Sequence, residues 1–463
     1  PDADLEQAAR LGGVTDIITD PGNLPAASQL PVQTLVLGGG ENRTLNLSQD
    51  STVIDMEQID PDSVELPGWY RPNPQFARDV AYVVFNAVGG GELVPKQITN
   101  YRWALSAFGT ASAAALNRND TVYCLTPLHN QGGLLVSLGG SVVAGSRIAL
   151  SRGLCPERFI DEVRQYGVTV VTYTWSMLRE VIDAPDFEMS GNNPIRLFMG
   201  SGMPTGLWQR ILDIFEPARI VEFFATSDGQ AVLANVAGLK VGSEGRPLPG
   251  GGEVELGAYD PDEDLILEDD RGFVRVAGRE EMGLLLARPW GPIDPTAAIK
   301  RGVFTPGDIW ISTESVFWRD GDGDFWLLGN RSGLIRTARG VVFPAPITDS
   351  IGAVSAVDLA VTYPLEVPGG TLAVTAITLR PGMSVTAADL SEAVSGMPAG
   401  LPPDLVHVVG DLPLSASYRP TVSALKSAGL PKVGRNTWYL DADTGRYKRL
   451  TAAARSALAK GRD

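Results

Sequence analysis

Cysteine and histidine are scarce in this chain, which has two of each among 463 residues. The cysteines, Cys124 and Cys155, are too few for a disulfide framework, so we expect a reducing, cytoplasmic setting. Neither cysteine has another cysteine or a histidine (His129, His407) at metal-ligand spacing. This scarcity argues against a zinc site.

Basic residues and long apolar runs are also under-represented. The chain has 38 Lys and Arg against 54 Asp and Glu, a formal net charge of −16, which excludes the electrostatic footprint of a nucleic-acid-binding protein. The sequence has neither an apolar run of membrane-spanning length nor a signal-peptide pattern at its N-terminus. We predict no nucleic acid partner and no transmembrane segment, and peripheral membrane contact through a local basic patch stays open.

Apolar residues are plentiful, at 44% of the chain, and their spacing indicates the fold class. "PERFIDEVRQYG" places Phe159, Val163 and Tyr166 one helical turn apart and ends at Gly167, the pattern of an amphipathic helix. "VTVVTYT" has the β-branched composition of a buried parallel strand. Because such strands and helices alternate along the chain, we predict a layered α/β fold.

The sequence pattern changes near Gly238, where short predicted strands separated by Gly, Pro and Asp turns begin. We therefore predict a large domain over residues 1–330, with a β-rich subdomain over 240–330. A small α+β domain is predicted over residues 331–463.

Seven motifs follow one another in a familiar order. They are "VAYVVF", "VYCLTPLHNQGG", "RLFMGSGMPTGLWQRI", "IVEFFATSDGQ", "VGSEGRPLPG", "VFTPGDIWISTESVFWRDGDGDFWLLGNR" and "LPLSASYRPTVSALKSAGLP". Together they resemble the adenylate-forming (ANL) superfamily, most closely the very-long-chain acyl-CoA synthetase and fatty-acid transport protein branch. The resemblance implies the adenylate-forming-enzyme fold, with a mobile small C-terminal domain. It also implies that the N-terminal part of the family fold is missing from the 463 residues.

Enzymes of this family use ATP and Mg²⁺ to form an acyl-adenylate and then transfer the acyl group to CoA. The resemblance places Ser227 near the α-phosphate, Asp228 on Mg²⁺ and Arg419 at the position of a catalytic lysine. If nucleotide binding is retained, it assigns that role to Gly89, Gly90, Gly91, Lys96, Gly200, Ser201, Gly202, Phe223, Phe224, Ala225, Thr226, Ser315 and Arg331.

Several of these positions depart from the family pattern. The stretch "VGGGELVPK" carries no hydroxyl, and Glu92 brings negative charge close to where phosphate oxygens would lie, which opposes binding of a polyanion. Ser315 stands where the family has a ribose-binding aspartate, and a single hydroxyl cannot accept both ribose hydroxyls as a carboxylate does. Arg419 replaces a compact ammonium with a planar guanidinium. The segment that follows Arg331, where the family has its domain hinge, is one residue short.

These departures favour one hypothesis over two others. The first is a degenerate acyl-CoA-synthetase-like pseudoenzyme that binds fatty acid, acyl-CoA or a protein partner, with no cofactor assigned. The second is an active long- or very-long-chain fatty acyl-CoA ligase using Mg²⁺, ATP and CoA. The third is a protein-interaction domain of a larger polypeptide. All three are expected in the cytoplasm, with membrane association left open.

Overall fold

The computed structural model describes residues 2–39, 45, 47, 52–70, 76–87, 93–150, 153–185, 187–189, 193–226, 229–248, 252–289, 293, 297–397, 400–414 and 420–460. Two compact units are present: residues 1–104 with 129–131, and residues 105–128 with 132–463. Among the described helices, none combines the length and apolarity needed to cross a bilayer.

The first unit contains a small parallel sheet and a separate hairpin. Its elements are α1 (Asp2–Gly12), β1 (Asp16–Thr19), α2 (Leu24–Ala27), β2 (Gln33–Val36), β3 (Val53–Asp55), β4 (Val80–Ala87) and β5 (Leu93–Thr99). Strands β1, β2 and β3 pair in parallel, whereas β4 and β5 are antiparallel partners. Helix α3 (Asn100–Ala113) begins in this unit and continues into the second.

A seven-stranded sheet forms the centre of the second unit. Its elements are β6 (Thr121–Cys124), a π-helix (Gly132–Leu138), α4 (Gly139–Ala144), β7 (Arg147–Leu150), α5 (Phe159–Tyr166), β8 (Val170–Thr174), α6 (Trp175–Ile182), β9 (Leu197–Ser201), α7 (Thr205–Ile214), β10 (Arg219–Ala225), β11 (Val232–Asn235) and β12 (Arg246–Pro247). The strand order is β12-β11-β10-β9-β8-β6-β7. Strands β6 to β10 run in parallel. Strand β11 is antiparallel to β10, and β12 is antiparallel to β11.

The amphipathic helix and the buried strand predicted from the sequence are both present. Helix α5 ends at Gly167, which has a φ of 60°, a left-handed conformation that glycine adopts readily. Phe159 and Val163 are buried beneath the sheet, but Tyr166 is 43% exposed. The predicted amphipathic helix ending at Gly167 is thus confirmed, with Phe159 and Val163 as its buried residues.

An antiparallel β-rich sheet follows. Its strands are β13 (Val254–Asp260), β14 (Leu265–Ile266), β15 (Glu281–Ala287), β16 (Ile299–Arg301), β17 (Ile309–Arg319) and β18 (Phe325–Asn330). The order is β14-β13-β15-β17-β16, with β18 paired to β17. A register shift interrupts the pairing of β17 with both β15 and β18 near Val316.

The C-terminal part has its own mixed sheet. Its elements are β19 (Ile335–Thr337), β20 (Gly340–Val342), α8 (Pro344–Gly352), β21 (Val357–Val367), β22 (Gly370–Leu379), α9 (Ala387–Ser395), β23 (Leu405–Val408), α10 (Ser423–Ala428), β24 (Thr437–Asp441), β25 (Arg446–Arg449) and α11 (Ala452–Lys460). Strands β21 to β25 lie side by side in chain order. This arrangement agrees with the predicted α/β class, and the domain boundary at residue 330 stays a prediction.

Candidate functional site

The carboxyl ends of β8, β9 and β10 bring two predicted site segments together. In the strand register, Glu222 of β10 lies beside Gly200 of β9, and Gly200 lies beside Tyr173 of β8. The Gly200–Gly202 turn and the Phe223–Thr226 segment therefore leave the same edge of the sheet. This edge is where open parallel sheets bind ligands.

Glycine is required at position 200 by close packing and is favoured at position 202 by the backbone conformation. A Cβ atom on Gly200 would lie 2.5 Å from Cε2 of Tyr173, and Gly202 has a φ of +74°. Ser201, between them, is exposed. The backbone of this turn therefore passes directly over the Tyr173 ring, and any larger residue at position 200 would displace that ring.

Phe224, one of the predicted nucleotide-binding residues, is part of an aromatic contact between two sheets. Its ring meets Phe317 of β17 edge to face, with 5.1 Å between centroids. Phe223 packs against the core on the other side of β10. The contact places Phe224 near the strand that carries Ser315.

Thr226 closes the turn that follows β10. Its amide donates to the carbonyl of Ala231 at 3.0 Å, and the Ala231 amide donates to Thr226 Oγ1 at 3.1 Å. Ala225 is exposed at the strand end. The predicted α-phosphate and metal residues, Ser227 and Asp228, lie outside the described residues.

Ser315, at the predicted ribose position, is turned inward. It is 8% exposed, and its hydroxyl donates to the Thr313 carbonyl at 3.4 Å. Its neighbour Glu314 adopts a φ of 57°, a left-handed conformation that is costly for a residue with a side chain. The Ser312 hydroxyl donates to Glu314 Oε1 at 2.7 Å. The described strand therefore offers a carboxylate at position 314 and a buried hydroxyl at 315.

Arg331 is bound by carboxylates of the β-rich sheet. Its Nε donates to Asp264 Oδ1 at 2.6 Å, and its Nη2 donates to the Asp264 carbonyl at 3.0 Å. Its Nη1 lies 3.6 Å from Glu314 Oε2. The guanidinium thus meets two acidic side chains within the protein.

Of the remaining predicted site positions, the structure describes Lys96. Lys96 lies in the first unit, paired with Val84 inside the β4–β5 hairpin. The triple glycine Gly89–Gly91 and the predicted catalytic position Arg419 lie outside the described residues.

A cluster of buried acids was not anticipated from the sequence. Glu222 is 3% exposed and accepts hydrogen bonds from the Tyr173 hydroxyl and, at 3.0 Å, from the Met203 amide. Burial and the neighbouring Glu244 raise the pKa of Glu222 well above its ordinary range. The signal in the sequence was a single glutamate inside the apolar run "IVEFFA".

The cluster extends to the C-terminal part. Burial, and then the charge of Asp349 on α8, raise the pKa of Glu244 to about 7. Burial alone raises the pKa of Asp349 to about 7. Within the described part of the chain, Glu244 Oε2 is buried without a hydrogen-bond donor. The direction of these pKa shifts indicates that the environment behind the strand ends disfavours negative charge.

A second acidic cluster, on the turn between β17 and β18, already holds a cation of the chain. The ammonium of Lys240 lies 2.6 Å from Asp320, 2.7 Å from Asp322 and 2.8 Å from Asp324. Among the described residues, these three carboxylates are close enough to share a metal ion. Lys240 occupies the position that such an ion would take, so we read the cluster as structural.

The sequence and the fold were compared with known proteins. Residues 94–282 match the family described as AMP-binding enzymes. A medium/long-chain-fatty-acid–CoA ligase of Mycobacterium tuberculosis is 28% identical over 357 residues, covering 74% of this chain and 59% of that protein. Long-chain fatty acid transport protein 2 of Rattus norvegicus is 23% identical, covering 87% of this chain and 67% of its own length. The chain thus spans only part of these relatives.

A solved structure shows the same fold. The anthranilate CoA ligase AuaEII, in complex with anthranoyl-AMP, superposes with a TM-score of 0.70 at 17% identity. The superposition covers 92% of this chain and 80% of that one, which confirms the predicted fold class. Motif order, the family match and the fold agree: residues 94–282 are similar to AMP-binding enzymes, and the chain has the fold of the adenylate-forming enzymes.

Proposed function

We propose that this chain is a degenerate fatty acyl-CoA-synthetase-like protein that binds a fatty acyl ligand without adenylating it. The observation that carries the proposal is the state of Ser315. At the position where the family holds ribose, the side chain is a hydroxyl that is buried and bonded to its own strand. A buried hydroxyl cannot take the place of a carboxylate that accepts two ribose hydroxyls.

The charges around the site support the same proposal. Arg331 is engaged by Asp264 and Glu314, so its guanidinium is partly neutralised within the protein. Burial raises the pKa values of Glu222 and Glu244 near these strand ends, so this environment disfavours negative charge. The described residues therefore fit ATP and Mg²⁺ poorly.

The ligand class follows from the relatives, whose names point to fatty acids and their CoA thioesters. We propose long-chain fatty acid or acyl-CoA as the ligand, with a protein partner as an additional role. The cytoplasm is the proposed location because Cys124 and Cys155 are both free thiols. Peripheral contact with a membrane is compatible with this location.

Calorimetric titration with Mg-ATP, palmitate and palmitoyl-CoA tests the proposal, together with a pyrophosphate-release assay. We expect binding of a lipid ligand, no measurable Mg-ATP affinity and no pyrophosphate. Micromolar Mg-ATP affinity with turnover would establish the rival function, an active fatty acyl-CoA ligase. Binding of none of the three would leave a protein-interaction domain.

The rival function has one structural observation in its favour: the Gly200–Gly202 turn and the Phe223–Thr226 segment leave the same edge of the sheet. The double variant Ser315→Asp, Arg419→Lys restores two family residues and separates the proposals. If the defect extends beyond two side chains, the variant releases no pyrophosphate. A variant that turns over would show that the remaining site is competent.

A further inference from the structure

Two strained residues flank one arginine. In the described chain, the non-glycine residues with positive φ are Ala115, Asp264, Glu280 and Glu314. Two of these, Asp264 (φ 59°) and Glu314 (φ 57°), supply the carboxylates that contact Arg331. Left-handed backbone at residues with a side chain persists only where surrounding contacts enforce it, and such outliers are a reason to look for a function.

The contacts around Asp264 are numerous enough to enforce its conformation. Its carboxylate accepts hydrogen bonds from Arg331 Nε at 2.6 Å and from the Tyr259 hydroxyl at 2.5 Å. Arg336 Nη2 lies 3.3 Å from the same oxygen. Both arginines belong to the segment that leaves the β-rich sheet for the C-terminal part. We call Arg331, Asp264 and Glu314 the arginine clamp.

The segment that begins at the clamp, residues 331–343, makes apolar and polar contacts along its length. Leu334, Val341 and Phe343 are buried in the core of the β-rich sheet, at 7%, 8% and 3% exposure. On its other side, Arg339 Nε donates to Asp404 Oδ1 at 2.8 Å. The segment is therefore bonded both to the β-rich sheet and to the mixed sheet that follows.

We propose that the arginine clamp holds residues 331–343 on the β-rich sheet and so keeps the C-terminal part in one orientation, whether or not a ligand is bound. The inference rests on the proposed function, because a protein that does not adenylate has no need to reorient this part between two half-reactions. It contrasts with the mobile C-terminal domain that the resemblance implied.

Hydrogen–deuterium exchange of the whole chain tests the clamp. The amides to follow are those of the β19–β20 pairs, Ile335 with Val342 and Thr337 with Gly340. In the unmodified protein we expect their exchange to stay within about threefold when Mg-ATP or palmitoyl-CoA is added. A larger change on adding a ligand that calorimetry shows to bind would overturn the proposal.

The double variant Asp264→Asn, Glu314→Gln removes both carboxylates while leaving hydrogen-bonding side chains of similar size. We expect exchange of the same amides to become about tenfold faster, because opening of the segment then costs less. The matched control is Asp269→Asn, which removes the partner of the 75% exposed Arg271 side chain on the following turn. The control is expected to leave these amides unchanged. An increase below about threefold in the double variant would contradict the clamp.

Two further measurements keep the outcomes separable. If circular dichroism shows that the double variant does not fold, Arg331→Lys is used with the same thresholds, since lysine keeps the charge but loses the paired contacts. Pyrophosphate release by the unmodified protein would refute the proposed function. The exchange of the β19–β20 amides would still decide for or against the clamp.

Discussion

At the scale of single residues, the site is shaped by side chains in unusual environments. Glu314 has left-handed backbone in the middle of β17 and sits where the pairing register shifts. Bulges of this kind redirect side chains, and they occur often beside binding sites. The backbone at this residue is therefore strained.

The Glu314→Gly variant should be more stable than Glu314→Ala by about 1 kcal/mol, because glycine adopts positive φ without steric cost. Glu314→Ala is the matched control: it removes the same carboxylate but keeps a Cβ atom. Urea denaturation of both variants measures the difference. The strain argument fails if the glycine variant is no more stable than the alanine variant.

Residue-level reasoning from the sequence identified the positions but not their surroundings. It singled out Ser315, which lies in β17, as the lost carboxylate, and Phe224, which lies near the end of β10, as a nucleotide-binding residue. Both assignments stay predictions. It did not identify Asp264 or Glu244, because each acquires its role from a residue far away in sequence. Charge partners brought together by β-sheet pairing leave no local pattern.

At the scale of elements, sequence periodicity worked where an element buries a face. The helix ending at Gly167 and the strand at residues 170–174 were both predicted from spacing and composition. The electrostatic effect of Asp349 on Glu244 was not predicted, because nothing in "PAPITDSIG" marks Asp349 as a neighbour of a distant acid. Tertiary packing decides which surface a short helix covers.

The raised pKa of Glu244 should make the free energy of unfolding depend on pH. The folded-state pKa of Glu244, about 7, exceeds its ordinary value of 4.5. The folded state therefore binds this proton more tightly, and the associated stability is present in full below pH 4.5 and is lost as pH rises through 7. We expect Glu244→Gln to be more stable than the unmodified protein by about 2 kcal/mol at pH 8, with little difference at pH 5.

Thermal or urea unfolding at both pH values checks this expectation, and the exposed acid Glu188, changed to glutamine, serves as the control. Equal effects of Glu244→Gln at pH 5 and pH 8 would show that its burial does not control the ionisation.

Asp320, on the turn between β17 and β18, should give the opposite pH dependence: its contribution to stability is lost at low pH. Burial opposes ionisation of Asp320, but hydrogen bonds from Lys240, the Asp324 amide and Trp326 outweigh it and lower its pKa from 3.8 to about 2. Its stabilisation is present above pH 3.8 and is lost as pH falls toward 2. Asp320→Asn should cost about 2 kcal/mol at pH 7, because a charge-assisted network is broken.

The acid unfolding midpoint of Asp320→Asn, compared with that of Asp322→Asn, tests this reading. Asp322 shares the lysine but its side chain is 73% exposed, so its loss should have the smaller effect. Similar losses from both variants would mean that exposure does not decide the contribution of each carboxylate.

At the scale of the whole molecule, the fold is that of the adenylate-forming enzymes, and the proposed loss of nucleotide binding can be tested by ligand stabilisation. A ligand that binds the folded chain stabilises it by an amount that grows with the logarithm of its concentration relative to its dissociation constant. Palmitoyl-CoA at about 100 times its dissociation constant should therefore add about 2.7 kcal/mol of stability. Mg-ATP at the same concentration should add none. Differential scanning calorimetry decides, and a stabilising effect of Mg-ATP would count against a non-adenylating protein.

The junction of α7 and α8 is a backbone-to-backbone contact. A Cβ atom on Gly206 would lie 2.5 Å from the carbonyl oxygen of Gly352 and 3.1 Å from the Cα of Ala353. A methyl group added at position 206 would force the two helices apart, because both neighbouring atoms belong to the backbone and cannot move as a flexible side chain can. The Gly206→Ala variant should therefore weaken the packing of α8 against α7 without changing the charge of the protein.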